Sequence, residues 1–223
     1  MNLIYLREDL ILSMKLTTAL IFINILVYVS TSLGGLNYFI IKYGFQTDEF
    51  LNGDYYRIIT SLFLHANVAH LGFNMLALLL LGSSLEKKVS PIRYLTVYFV
   101  GGIIGNLAMF IPFFYSKDSI GVGASGAISA LVGLGTFLCP GKLVIFPAVL
   151  PLPFVVAGAS YFLLTATNLF TPSEIGYSVH MVGMIIGMIF GLIWSKNWIR
   201  GILIFILALV LIIILPFILA MIF

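Results

Sequence analysis

Ser125 stands in the run GVGASGAISALVGLG (121–135), with small or apolar residues on every side. A serine hydroxyl has a pKa far above 7 and needs a base to take its proton as it attacks. Neutral imidazole suits that task near pH 7, and the chain carries His65, His70 and His180. A tetrahedral intermediate also needs donors for its oxyanion. Asn74 offers an amide N–H, His70 a ring N–H, and Ser125 its own backbone N–H if a helix starts there. Ser125, His180, His70 and Asn74 therefore hold the parts of nucleophilic acyl chemistry. The acidic residues are Glu8, Asp9, Asp48, Glu49, Asp54, Glu86, Asp118 and Glu174. None falls within an apolar segment at the serine's depth, so the pattern is a Ser–His dyad, without the acid of a triad. The G-x-S-x-G elbow of the α/β-hydrolases is absent, because Ala127 stands where its last glycine would be.

The elements that must position these groups are membrane helices. Hydrophobic residues make up 61% of the chain and charged residues 9%, with a mean hydropathy of +1.17. That excludes an ordinary soluble domain. The net charge of +3 is too small to imply a nucleic-acid partner. Cys139 is the sole cysteine, which rules out an internal disulfide and a cysteine metal cluster. The first long apolar run starts at Leu16 and lasts a full span without a cleavage pattern, so it reads as a span and not as a cleaved signal.

A crossing helix needs about 20 apolar residues. Segments 16–33, 66–85, 94–115, 122–139, 145–168, 176–195 and 199–222 satisfy this, separated by the polar breaks LEKKVSPIR, SKDS, CPGK, TPSE and SKNWIR. The fold class expected is an all-α, polytopic bundle. The long connection 34–65 carries Asp48, Glu49, Asp54 and Arg57 and is expected at the membrane interface. With alternating spans, Arg7, Lys15, Lys87, Lys88, Arg93, Lys142, Lys196 and Arg200 share one side, against Lys42, Arg57 and Lys117 on the other. That bias puts the N-terminus in the cytoplasm and the C-terminus outside.

Depth brings the polar groups together. At about 1.5 Å per residue, Ser125 lies roughly 22 Å above Pro140, and His180 roughly 24 Å above Lys196. His70 and Asn74 lie roughly 24 and 18 Å above Glu86. All four share a layer near the outer face of a core about 30 Å thick. His70 and Asn74 are one turn apart on one face. His180, Gly183, Gly187 and Gly191 form one stripe, and Gly126, Ala130 and Gly133 another. Packing such small-residue stripes together brings Ser125 within hydrogen-bonding reach of His180.

GASG (123–126), HANVAHLGFN (65–74) and HMVGMIIG (180–187) resemble motifs of the rhomboid intramembrane serine proteases, in the family's order and on its fourth, second and sixth spans. The resemblance covers about 16–195. It implies a six-span catalytic core with the interfacial loop 34–65, after a cytoplasmic segment 1–15, with 199–222 as an additional C-terminal span. It implies Ser125 as nucleophile, His180 as base, and His70, Asn74 and the Ser125 amide as the oxyanion hole. Transmembrane proteins would be the substrates and lipid the surroundings, in a prokaryotic cell membrane, with no cofactor. YYR (55–57) resembles the family's Trp-Arg loop motif, with Tyr56 in place of Trp. One departure stands out: where some members place an aromatic residue four positions after the nucleophile, to stack on the histidine, this chain has Ser129. Ser129 bonding His180 directly is one substitute.

Other roles remain open for the same residues. Ser125 also fits a packing surface, and intramembrane His and Asn also line proton paths in a small transporter or channel. Against that, no inverted repeat or carboxylate chain is present. A catalytically inactive rhomboid-like binding module would lack Ser or His. His65 falls about 140° round the helix from His70, so it reads as structural. A zinc site of His65, His70 and His180 has no H-E-x-x-H spacing, so no metal is expected. Asn24, Asn106 and Asn168 read as interhelical hydrogen bonders. Glu86 reads as an ion pair with Lys87 or Lys88, and GGIIG (101–105) as helix packing. Pro147, Pro151 and Pro153 loosen the start of the fifth segment. Ser61, Thr60 and His65 are expected to line a short water path to the site.

Overall fold

Hydrocarbon offers no partner for backbone N–H and C=O groups, so apolar segments satisfy them internally as helices. The computed structural model describes residues 15–111, 119–145, 151–171 and 175–222. Arg7, Lys117, Pro147 and the acidic Glu8, Asp9, Asp118 and Glu174 lie outside the described residues, as do all but the last residue of segment 1–15. Helix α1 spans Lys15–Leu33. The connection to the next long helix is built of α2 (Leu36–Tyr43), α3 (Thr47–Leu51), α4 (Arg57–Thr60) and a 3-10 turn at Ser61–Phe63. Then come α5 (Val68–Leu85) and α6 (Pro91–Leu107), the latter extended by a 3-10 turn to Phe110. They are followed by α7 (Ser125–Leu138), α8 (Phe154–Thr167), α9 (Tyr177–Trp194) and α10 (Trp198–Ile222).

Each expected span contains one of these helices, but several ends differ for local reasons. Among the described residues five helices are long and apolar enough to cross a membrane: α1, α5, α6 with its turn, α9 and α10. Helices α7 and α8 have 14 residues each, which at the standard rise is about 21 Å. The fourth segment stays non-helical until Ser125, because Gly121 pairs with Phe45 in an antiparallel bridge. The fifth starts at Phe154 instead of 145. Leu143–Val144 and Leu152–Pro153 form a two-stranded hairpin there, and Pro151 and Pro153 lack the N–H groups a helix interior needs. The third starts early, at Pro91, because Ser90 caps it and proline suits the first helical position.

The connection 34–65 is more ordered than an interfacial loop suggests, and Arg57 is its hub. Its buried guanidinium donates to the Ile41 and Gly44 carbonyls at 2.7 and 3.3 Å, and to Asp54 at 2.8 Å. Tyr56, beside it, is exposed. Glu86 is a correction: it does not serve as a lysine partner. Its carboxylate accepts from the Leu16 and Thr17 amides at 2.8 and 2.9 Å and from the Thr17 hydroxyl at 2.7 Å. A carboxylate at a helix start satisfies orphan donors and the helix dipole, so Glu86 ties α5 to α1. The asparagines divide. Asn106 bonds across elements, to the Ile58 carbonyl and the Ser61 hydroxyl. Asn168 instead donates to the carbonyl four residues back on its own helix, and Asn24 does so too while its side chain also faces the Tyr98 hydroxyl of α6.

Helix α7 is the centre of the bundle, buried at every residue from Gly126 to Phe137. Its most extensive partner is α9. A methyl group at Gly183 would strike the Gly126 carbonyl, and one at Gly187 the Ala130 carbonyl. One at Gly133 would strike the Met184 carbonyl from the other side. On α6, a methyl group at Gly101 would strike the Ala130 side chain, as expected for packing by GGIIG. Gly72 of α5, by contrast, faces open space. Gly187→Ala should therefore overpack the seam and cost about 1–3 kcal/mol. Gly72→Ala should cost nothing and can gain up to about 1 kcal/mol of helix propensity. Thermal unfolding in detergent checks the pair; equal melting temperatures would show that the α7–α9 seam yields freely.

Candidate active site

Ser125 is the first residue of α7. The chain reaches it through Gly121–Ala124, and three contacts hold that approach. Gly121 exchanges backbone bonds of 2.8 and 2.9 Å with Phe45. The Gly123 amide donates to the Ser61 carbonyl at 2.9 Å. Gly123 itself has φ +117, which a side chain tolerates poorly, and an added Cβ would lie 2.8 Å from the His70 ring and 3.8 Å from Ser125 Oγ. The glycine thus lets the imidazole of His70 stand beside the serine. The Ser125 N–H belongs to the first helical turn, whose donors have no intrahelical acceptors.

His180 sits in the first turn of α9, its amide donating to the Gly176 carbonyl. Its Nε2 is 2.7 Å from Ser125 Oγ, across 55 residues of chain. That distance follows from the close approach of the two glycine stripes. Asn67 caps α5 by accepting from the His70 amide at 2.8 Å. The Ala66 amide reaches His70 Nδ1 at 3.4 Å. With Nδ1 an acceptor, the proton of neutral His70 is on Nε2, which with Cε1 forms the edge of the ring that faces Gly123. Asn74 donates one amide hydrogen to the His70 carbonyl at 2.8 Å; its NH₂ carries two. Ser125, His180, His70 and Asn74 all line one cavity of about 730 Å³, whose wall includes the exposed residues Ala66 and Asn67.

Several expectations need correction. His65 and His70 do meet, with ring centroids 5.1 Å apart. The helical projection fails because α5 begins only at Val68, leaving His65 in the preceding turn. His65 is fully buried, and that burial, with His70 beside it, pushes its imidazole down to about 4. It is therefore neutral near pH 7. Among the described residues no three His, Cys, Asp or Glu side chains are placed to hold a metal ion. Ser61, Thr60 and His65 do not line the cavity. Ser61 is engaged by Asn106 and Gly123, and Thr60 donates to the Tyr43 carbonyl. Ala66, Asn67 and the 119–123 stretch form that wall instead.

Ser129 is a further difference. Its hydroxyl donates to the Ser125 carbonyl at 2.7 Å and bonds the Tyr161 hydroxyl at 2.8 Å. It is Tyr161, on α8, whose ring lies against His180, with centroids 6.4 Å apart and planes 28° from parallel. Tyr177 meets the same imidazole edge-on. Tyr161 was hidden in the sequence, since its helix carries no motif. The one signal was a phenol on a helix of apolar and small residues, where a buried hydroxyl needs a partner.

The Rhomboid domain model matches residues 52–197. The chain belongs to the rhomboid family. The match leaves α1, α2, α3 and α10 outside it. With its apolar helices, this rhomboid is a multi-pass integral membrane protein. It is 40% identical over 87 residues to the putative rhomboid protease YdcA of Bacillus subtilis, covering 39% of this chain and 43% of the relative. It is 31% identical over 136 residues to the rhomboid protease GluP of the same organism, covering 60% and 25%. It is also 30% identical over 139 residues to the rhomboid protease AarA of Providencia stuartii, covering 53% and 49%. The matched part of the chain spans less than half the length of each of these curated relatives.

Proposed function

We propose that this rhomboid is an intramembrane serine protease that cuts peptide bonds in or near the transmembrane segments of other membrane proteins. The observation that carries this is the 2.7 Å approach of His180 Nε2 to Ser125 Oγ inside a cavity whose wall includes the exposed residues Ala66 and Asn67. Relatives named as proteases support the same class. With its proton on Nδ1, His180 accepts the Oγ proton at Nε2 as Oγ attacks the scissile carbonyl. The carbonyl electrons move onto oxygen, where His70 Nε2–H, an Asn74 amide hydrogen and the Ser125 N–H serve as donors. Collapse re-forms the carbonyl and breaks the C–N bond, and Nε2–H protonates the leaving amine. Water then attacks the acyl-serine by the same route and restores the free hydroxyl. No cofactor or metal enters these steps. We take 16–195 as the catalytic core, 34–65 as its interfacial cover, 199–222 as an added span, and a prokaryotic cell membrane as the setting, on the bacterial relatives.

A serine-directed fluorophosphonate should label the wild type in detergent and neither Ser125→Ala nor His180→Ala. Label persisting in Ser125→Ala would remove the assignment, and an unlabelled wild type would favour an inactive binding module.

If the donors act on the oxyanion, Asn74→Ala and His70→Ala should each lower kcat for a transmembrane substrate with little change in KM. Removing one donor of a set costs about 10²–10³-fold, and with two donors left the low end applies. The double variant should lose less than the product of the single losses. A lowered melting temperature with kcat intact, for both, would make them structural.

We also infer a cytoplasmic N-terminus and an external C-terminus from the basic residues. Reporter fusions at Phe223 and within 86–93 should lie on opposite sides. Finding both on one side would overturn the orientation.

A further inference from the structure

We propose that Tyr161 is the positioning residue for His180: its ring sets the plane of the imidazole, and Ser129 holds Tyr161 in place. The inference rests on the protease reading above.

The dyad has a mechanical gap that something must fill. In a triad a carboxylate orients the base, but among the described residues no carboxylate lines this cavity. The bond from Nε2 to Ser125 Oγ fixes one point of the ring. The terminal torsion of a histidine is broad, so one point leaves the plane free to turn. Contacts with neighbouring rings must supply the rest: Tyr177 meets the imidazole edge-on, and the near-parallel Tyr161 ring is the one stacked beside its plane.

Tyr161 is itself held by a chain of bonds whose direction can be worked out. The Ser125 carbonyl can only accept, so Ser129 spends its single hydroxyl proton there. In the 2.8 Å contact between Ser129 and Tyr161 the phenol must therefore be the donor. The result is a closed circuit: the Ser125 carbonyl, the Ser129 hydroxyl, the Tyr161 phenol, the Tyr161 ring, the His180 ring and the Ser125 hydroxyl. It passes through α7, α8 and α9. The nucleophile's own backbone is thus the reference point for the base that serves it. Because the plate is carried on α8 and not on α7, the alignment of the dyad depends on how α8 is seated against α7.

The test measures the fluorophosphonate labelling rate, kcat and KM together, with melting temperature as a fold control. Tyr161→Ala should slow both labelling and kcat by roughly a hundredfold, the scale of an ångström-level misplacement, with KM little changed. Tyr161→Phe keeps the ring and should lose only a few-fold. Tyr161→Phe removes the Ser129–Tyr161 bond alone, whereas Ser129→Ala removes it together with the bond to the Ser125 carbonyl, so Ser129→Ala should lose at least as much, and the two together should lose no more than Ser129→Ala does. Tyr161 also lines the cavity, so it can instead be a substrate wall. In that case Tyr161→Ala raises KM while labelling by the small probe is unchanged, and the inference falls. If Tyr161→Ala does not fold, Tyr161→Leu decides: it restores bulk without a flat face, and activity equal to Tyr161→Phe would overturn the stacking role. A wild type that does not label overturns the protease reading and this inference with it. A wild type and a Tyr161→Ala that label equally overturn this inference alone.

Discussion

The seam between α7 and α9 is the constraint from which the rest follows. Two helices in hydrocarbon gain little by hiding apolar surface from apolar lipid, so their contact depends on how closely the backbones approach. Gly183, Gly187 and Gly133 let carbonyls of one helix lie where side chains of the other would be. With that spacing set, the first residue of α7 and the first turn of α9 meet at one end of the seam, and Ser125 and His180 are at those positions. The dyad is thus a by-product of backbone packing along the whole length of the helices. A small change in the middle of the seam is carried to its end.

Around this seam the other elements act as spacers. The Arg57 hub gathers the short helices after α1, and Phe45 from that region pins Gly121. Ser61 then holds Gly123 by its carbonyl and Asn106 by its hydroxyl. The serine's approach segment is therefore fixed from a part of the chain more than 60 residues upstream. His70 is brought in by α5, whose N-terminus Asn67 caps directly at the His70 amide.

Much of this was readable in the residues, and the rest had physical reasons to be hidden. Helical period and small-residue stripes pointed to Ser125 beside His180, and His70 and Asn74 line the same cavity as that pair. Helix ends were less readable. Gly121–Gly123 look as apolar as the helix they precede, but a backbone bridge to Phe45 keeps them extended. His65 was projected onto a helix that had not yet begun. Glu86 was paired with its basic neighbours in sequence, whereas the groups short of partners were the amides that open α1, 70 positions away in the chain. Tyr161 could not be paired from sequence, because its partners Ser129 and His180 lie on two other helices and no spacing rule connects them.

Helix α10 shows how differently a membrane treats a missing piece. Phe205 packs on Phe137 of α7 and Phe162 of α8, next in sequence to the tyrosine that covers His180. In water, stripping off such a helix would bare a large apolar face, at about 25 cal/mol for each Å². In a bilayer, acyl chains flow into the vacated groove and cover it nearly as well. What they do not replace is stiffness, since a fluid tail cannot brace a neighbouring helix as a ring locked between two others does. The last helix therefore works less as a wall than as a splint, and a shorter relative without one would differ in the steadiness of α8 more than in the ability to fold.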